Sequence, residues 1–475
     1  MSYVEGESRG QRILFPEALD EYVSEDNVVR FIDAFVDGLE MEELGFVHSA
    51  PKETGRPPYD PRDLLKLYIY GYLNRIRTGR TLERECQRNV ELMWLVRKLR
   101  PDFKTIADFR KDNRQAFKGV FRQFVLLCKG LGLVGGELVA VDGSKFKAVN
   151  SGERNFNERK LERRLKELDG KVERYLDEMD RRDRSEPEEA VLDKEELQNK
   201  IAKLKERRGR YEELLKELKV SGQSQVSLTD PDSRVMALTP RGEVSYNVQT
   251  AVDQKYHLIV AQEVTNEGLD NHQLYTMAQA TKQVLGQNEL QVVADMGYYN
   301  HQELKRCEEA GVTTYISKPL VSKNRARGLF GKEKFVYEAE GDCYRCPAQE
   351  RLDFRFETQE GDQRFRYYWT KACPDCALKA RCTTDPRFHR IKRWEHEGVL
   401  ERIEKRVKAN LAILKLRKQL VEHPFGTIKF WNDQRHFLMK GLEKVRAEFS
   451  LSTLAYDLKR ALNIVGAKGL MAALH

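Results

Sequence analysis

The sequence predicts an α/β fold: a mixed-direction sheet preceded by a helical N-terminal unit and interrupted by a charged helical hairpin and a cysteine-rich module. Three observations carry this. Two short apolar runs, Leu138-Val139-Ala140-Val141 and Gln291-Val292-Val293-Ala294, each stop at an aspartate, as buried strands ending in loops do. Alternating segments at 244–252 and 258–264 read as a β-hairpin between them. A helical pattern at 272–285 separates that hairpin from the second run, giving the order β, β, β, α, β, α, β and then helices.

Taken in chain order, residues 1–130 form the helical unit. Asp60-Pro61 is a good helix start, an acid at the cap and proline in the first turn. Leu64, Leu65, Tyr68, Ile69, Tyr72 and Leu73 then recur at helical spacing. Shorter helices follow from Thr81, around Leu92 to Leu99, and over 105–127. Arg75, Arg77, Arg80, Arg84 and Arg88 gather around one turn, which suits a helical DNA-binding domain as well as a plain packing unit.

Residues 136–475 carry the strands, with two interruptions. The first, 153–220, balances 20 basic against 20 acidic residues. Leu161, Leu165, Leu168, Val172, Leu176 and Met179 form one helical stripe; Leu197, Ile201, Leu204, Tyr211, Leu215 and Leu218 form another. With Pro187 between them, they predict an antiparallel, coiled-coil-like hairpin. A fifth strand is expected at 313–317. The second interruption, 321–392, holds five of the eight cysteines.

A length of 475 residues suits about three structural units. Hydrophobic residues make up 40%, enough for a core, and no apolar run approaches the ~20 residues of a membrane span. The opening MSYVEGESRG lacks a basic-then-apolar leader, so a cytoplasmic protein without a membrane partner is expected. The net charge of +8 hides an asymmetry: 5 basic and 13 acidic residues in 1–59, 17 and 8 in 60–130, 19 and 10 in 381–460. Two basic segments suggest a polyanion partner, with solvated helix faces the plainer account.

Asp142 and Asp295 are the candidate chemistry. If their strands are parallel neighbours, both stand at one sheet edge, where α/β folds place their sites. Two adjacent carboxylates repel unless a cation lies between them, and hard oxygen donors suit Mg²⁺ or Mn²⁺. Such ions activate water and stabilise a leaving oxygen at phosphorus. Singly, Asp142-Gly143 is also an ordinary turn dipeptide, and Asp295 an ordinary helix cap.

Val141-Asp142-Gly143-Ser144-Lys145-Phe146-Lys147-Ala148, Val293-Ala294-Asp295-Met296-Gly297-Tyr298 and Val421-Glu422-His423-Pro424-Phe425-Gly426-Thr427-Ile428-Lys429 resemble the three signatures of DDE transposases of bacterial insertion sequences. The stretch 441–449 and the helical segment 59–113 are similar to that family too. The resemblance implies a ribonuclease-H-like catalytic domain over 136–475 that cuts and joins DNA in the bacterial cytoplasm, at the nucleoid. It makes Asp142, Asp295 and Glu422 the metal-binding catalytic acids, with Glu422 and Lys429 in the family's E-x₆-K spacing. Lys418 and Lys415 stand where related transposases often show Arg and Tyr. Pro424 predicts that Glu422 sits at a helix start, with Glu395 and Glu397 as substitutes for the third acid. Lys145 and Lys429 would hold phosphates beside the site. The turn at 229–234 would be structural, or would bring Asp232 near the metals. Double-stranded DNA, as terminal inverted repeats and target, is the implied partner, with a homo-dimer or larger synaptic complex assembled on it.

Cys343-x₂-Cys346 and, 26 residues on, Cys373-x₂-Cys376, with Cys382 after them, can deliver four thiolates to a structural Zn²⁺. Strands at 352–356 and 365–369 fit the spacer. Arg364, Arg366, Tyr367, Tyr368 and Trp369 interleave charge with aromatics and suit a nucleic-acid surface or simple packing. No G-x-x-x-x-G-K-[ST] or G-x-S-x-G occurs, which argues against a P-loop ATPase and an α/β-hydrolase. The competing expectations are a zinc-containing DNA-binding protein and a structure-specific nuclease that does not join strands.

Overall fold

The computed structural model describes residues 18–49, 58–183, 190–236, 242–319 and 327–474; Pro187, the break expected between the two hairpin stripes, lies outside them. Six helices come first: α1 (Val28–Asp37), α2 (Pro61–Leu73), α3 (Gly79–Arg88), α4 (Val90–Leu95), α5 (Phe103–Asp112) and α6 (Ala116–Gly130). Their starts are capped as the sequence directs. Asp60 accepts from Arg62 N at 2.8 Å ahead of Pro61, and Asp102 accepts from Lys104 N and Thr105 N. Tyr68, Phe109 and Phe117 meet ring to ring at their centre.

The central sheet is built from β1 (Leu138–Lys147), the short β4 (Arg234–Met236), β5 (Glu243–Asp253), β6 (Ile259–Thr265), β7 (Leu290–Val293) and β8 (Val312–Tyr315). β5 pairs antiparallel with β1 on one side and with β4 and β6 on the other. On β1's far side, β7 and then β8 run parallel to it. The parallel steps are made by helices α9 (Leu274–Leu285) and α10 (His301–Glu309), which a crossover between parallel strands requires. Strand direction is therefore mixed.

Between β1 and β4, the ribbon β2 (Asn155–Phe156) with β3 (Val226–Ser227) closes the foot of a helix pair, α7 (Glu158–Asp183) and α8 (Ala190–Ser221). Glu158 pairs with Lys219 at 3.2 Å and Asp169 with Arg208 at 2.6 Å, so the helices run in opposite directions. Leu161, Leu168, Leu197, Ile201, Leu214 and Leu218 are buried along their seam.

A second, antiparallel sheet follows β8: β9 (Val336–Glu338), β10 (Cys343–Arg345), β11 (Arg351–Glu360), β12 (Gln363–Trp369) and, after the one-turn α11 (Lys379–Cys382), β13 (Ile391–Trp394). Its core holds Phe335, Tyr344 and Tyr368, while Phe354 and Phe356 of β11 are exposed. Tyr368 is fully buried and donates to Asp342, which also pairs with Arg366. Of the two readings, packing holds at Tyr368, while the Arg366 side chain stays 41% exposed.

The chain ends with α12 (Glu397–Ala409), α13 (Leu411–Gly426), a π-helical turn at Thr427–Trp431 and α14 (Leu442–Ala472). α14 packs on β6, α2 and α6, so one continuous core runs from Val29 in α1 through Val141 in β1 to Tyr456 in α14. The turn at 229–234 is spent on starting α14. Asp230 accepts from Gly441 N at 3.0 Å and from the Tyr246 hydroxyl at 2.7 Å; Asp232 accepts from Leu442 N at 2.8 Å. Asp232 is therefore a helix cap, which corrects the expectation of a place beside metals.

Candidate functional site

Strand register decides where the two aspartates go. β1 and β7 pair in parallel up to Ala140 opposite Val293. Asp142 and Asp295 each lie two residues further on, so they stand level with one another where the pairing ends. Alternation along β1 sends Leu138 and Ala140 to one face, where they pack with Val293 under Leu420 and Val421 of α13. Asp142 is next on that face and meets Arg417 of the same helix. Arg417 Nη1 lies 3.5 Å from Asp142 Oδ1 and 4.0 Å from Asp295 Oδ2, so one guanidinium nitrogen serves both carboxylates.

The second contacts of each aspartate are local. Asp142 Oδ1 accepts from Gly143 N at 3.0 Å, and Asp295 Oδ1 from Gly297 N at 2.7 Å. Burial pushes the Asp142 carboxyl up to about 6; Arg417 opposes the rise, and the charges of Asp295 and Asp270 add to it. Asp270 is a third acid at the site. It accepts from Asn247 Nδ2 and Gln249 Nε2, both at 2.7 Å, and pairs with Lys145 at 3.3 Å. It comes close because residue 143 has no side chain: a Cβ there would lie 2.6 Å from Asp270 Oδ1 and would collide with Gln249 Nε2. Beneath them Tyr298, fully buried, donates to Gln249 Oε1.

Lys429 joins from the π-helical turn. Its ammonium donates to Ser144 Oγ at 2.6 Å and to the Lys145 carbonyl at 2.8 Å, and lies 4.6 Å from the Phe146 ring centre. Burial, with help from Lys145, pulls its pKa down to about 8. Pro424 explains the turn. It has no N–H for the carbonyl of Leu420, and two residues after it the α-helix gives way to the wider turn that aims Lys429 at β1.

Glu422 does not join the aspartates in this structure. It lies near the end of α13, in its penultimate turn, not at a helix start, which corrects the reading of Pro424. It stands five residues after Arg417, about 140° round the helix. There it is 66% exposed and 3.8 Å from Lys418. The adjacent His423 points to Tyr456 of α14, and Leu420 and Val421 to the sheet, so the helix is held at this rotation on two sides. Glu395 lies 3.6 Å from His396. Glu397 is buried against Lys332 at 2.7 Å and accepts from Trp394 N. Neither substitute stands with the aspartates.

Of the arginines expected at DNA, Arg75, Arg80 and Arg84 are exposed. Arg77 is not, and its assignment is corrected. It is buried, donates to the carbonyls of Asp433 at 2.9 Å and His436 at 2.6 Å, and pairs with Glu448 of α14 at 2.8 Å. Glu448 in turn accepts from Leu438 N and Met439 N. Arg77 is a pin between the first helices and the last.

The cysteines divide four to one. Cys346, Cys373, Cys376 and Cys382 line one apolar pocket with His389. Burial pushes the Cys382 thiol up to about 11, aided by the other three. Cys343 lies on β10 and donates instead to Glu338 at 3.3 Å, which removes it from the candidate set. Among the described residues no group of three or more His, Cys, Asp or Glu side chains is arranged to hold a metal ion.

Sequence reasoning missed Arg417 and Asp270. Arg417 is in phase with the buried Leu420, Val421 and Pro424, a charge on an apolar stripe, and that was its signal. Asp270 has none: it reaches the site only through the missing side chain of Gly143.

Residues 17–112 match a transposase domain family, DUF772, and residues 345–462 match the transposase DDE domain. No curated protein matches the sequence. Among solved structures, a piggyBac transposase in a synaptic complex with hairpin DNA covers 94% of this chain and 80% of its own, at 7% identity. Its TM-score of 0.26 is too low to define a shared fold.

Proposed function

We propose that this chain, which its two matched domains mark as a DDE transposase of an insertion-sequence family, binds the ends of its element and catalyses metal-dependent cleavage and strand transfer of double-stranded DNA. One observation carries the reading: Asp142 and Asp295 stand level just past the last parallel pairing of β1 with β7, served by one arginine nitrogen. That is the C-terminal sheet edge where a ribonuclease-H-like site would lie.

The donor set fits a hard divalent cation in part. Two carboxylates face a common point, and the group between them, Arg417 Nη1, is buried without a hydrogen-bond partner. Mg²⁺ or Mn²⁺ held by Asp142 and Asp295 would polarise water and stabilise the leaving oxygen. Glu422 is the third carboxylate of this reading, and α13 must turn or open to deliver it.

The chain's own groups do the rest. Arg417, Lys145 and Lys429 surround the acids with positive charge and position the phosphodiester. Water attacks phosphorus and the bond to the 3′-oxygen breaks, leaving a 3′-hydroxyl and a 5′-phosphate. The hydroxyl then attacks a phosphorus of the target, displacing its 3′-oxygen. Arg75, Arg80 and Arg84 contact the end sequence. Joining two ends requires at least two chains on DNA. Beside the second sheet, Cys346, Cys373, Cys376 and Cys382 are the residues that would hold a structural Zn²⁺, which would tie the loops of the module together.

The test is cleavage and joining of duplexes carrying the inverted repeats that flank the gene, with Mg²⁺. Asp142→Asn and Asp295→Asn must abolish both steps. Unimpaired activity in either ends the reading. A wild-type rate in Glu422→Gln removes only the third acid. Cleavage without joined products would favour a nuclease.

A further inference from the structure

In residues 361–394, the last part of the second sheet, nine Lys and Arg stand against three Asp. Arg366, Lys392 and Arg393 pair with carboxylates. Among the described residues Arg387 and Arg390 do not, and both are exposed. They lie instead over aromatic rings. Tyr367 stacks on Phe356 at 4.8 Å, Phe356 meets Trp369 edge-on at 5.7 Å, and Trp369 stacks on Phe388 at 5.0 Å, so ring contacts tie these side chains into one surface. Arg390 lies 5.0 Å from the Phe388 ring centre and 5.7 Å from that of Trp369, and Arg387 lies 5.8 Å from that of Phe388.

A guanidinium held over a ring loses little freedom on binding and keeps N–H groups free for an outside acceptor. Trp369 and Phe388 face one another and carry arginines, so the surface offers cations, not bare rings. Paired planar cations without carboxylates suit oxygen anions in a row, which is what a DNA backbone presents. The place of this surface in the fold says which DNA. The helical unit packs through α6 on β6, at one side of the central sheet. The second sheet lies at the other side, where Trp394 stacks on His301 of α10 at 5.6 Å and Arg406 of α12 donates to the Thr314 carbonyl of β8 at 3.1 Å. The strand order β6, β5, β1, β7, β8 puts Asp142 and Asp295 between the two.

A duplex read by the helical unit and cut at the aspartates runs on towards the second sheet. We infer that Arg387 and Arg390 hold the phosphate backbone of the flanking duplex, on the far side of the cut from the element's end sequence. This rests on the function proposed above and adds the part of the substrate which that reading leaves unheld. Flanking sequence differs from one insertion to the next, so a contact there has to be made to phosphates and not to base edges. Arginines steadied on rings meet that need.

The experiment measures binding of the full chain, in Ca²⁺, to two inverted-repeat duplexes of equal length. One ends at the cut; the other continues past it into flanking DNA. Wild-type protein should bind the flanked duplex several-fold more tightly, whatever the flank's sequence, and with a steeper salt dependence. Arg387→Gln/Arg390→Gln removes two charges. On the flanked duplex its slope of log Kd against log salt should fall by about 2, at ~0.9 per phosphate contact, and the flank's advantage should be lost. On the duplex that ends at the cut it should bind like wild type. Arg387→Lys/Arg390→Lys keeps the charges and should keep most of the slope. A Gln pair that matches wild type on both duplexes, or weakens on both alike, overturns the inference. So does a Lys pair that loses the advantage as fully as the Gln pair, since the arginines would then serve packing. A flank advantage that depends on the flank's sequence overturns it too. A wild-type chain that binds the repeat but ignores the flank overturns this inference alone. One that binds no repeat overturns the proposed function itself.

Discussion

Asp142 is a group that the fold holds at a cost, and the cost can be measured. Burial raises its carboxyl from 3.8 in the unfolded chain to about 6 in the folded one. The folded chain therefore binds the proton more tightly. The group's contribution is intact below pH 3.8, is lost as pH rises, and above about pH 6 the full cost of an ionised Asp142 is in place. At about 1.4 kcal/mol per pH unit, that cost is about 3 kcal/mol at pH 8 and about half as much at pH 5. Asparagine keeps the shape and removes the charge. Asp142→Asn should therefore stabilise the chain in EDTA by about 2–3 kcal/mol at pH 8, with Arg417 left facing one carboxylate fewer. The gain should halve at pH 5. Urea unfolding followed by tryptophan fluorescence, at both pH values and beside the cleavage assay, measures it. An inactive variant that is more stable than wild type is the expected result. An equal gain at both pH values, or a loss at pH 8, would refute the argument that burial of charge dominates at this residue.

Three further outcomes are expected. Arg77→Met removes one partner of a buried pair and leaves Glu448 uncompensated, so stability should fall by about 3–5 kcal/mol by urea titration; Arg84→Ala should instead weaken DNA binding and leave unfolding unchanged. Gly143→Ala forces a methyl group against Asp270 and Gln249, and should cost about 1–3 kcal/mol while slowing cleavage. Elemental analysis of the purified chain should find about one zinc per molecule. Serine at Cys346, Cys373, Cys376 or Cys382 should remove it, and Cys343→Ser should not.

The aspartate pair was legible because strand signals are local. An apolar run that meets an acid marks the strand and the acid's place along it, and parallel pairing does the rest; Asp295 follows the end of β7, but β1 runs on through Asp142 and Gly143 to Lys147 against β5, which corrects the expected turn there. Helix signals are less complete. The spacing from Glu422 to Lys429 is visible in the sequence, but the rotation of α13 is set by what grips it, Tyr456 on one side and Val293 on the other, and no spacing reports that. The lysine arrives at β1 because it stands on the π-helical turn that follows the helix, whereas the glutamate stands on the helix itself and faces away. Charge is the least legible property. Arg77 and Arg84 lie seven residues apart in one basic run, yet one is buried against Glu448 and the other faces solvent. The cysteine spacing showed five candidates, and only the strand direction at β10 turns Cys343 away.

The core shared by the first helices, the sheet and α14 has a mechanical meaning. With Arg77 tied into α14, the unit proposed to grip DNA and the edge proposed to cut it cannot swing independently, so the protein would act as a caliper. The interval between recognised sequence and severed bond is then a property of the folded chain, and lengthening the 131–137 connector should leave that interval unchanged.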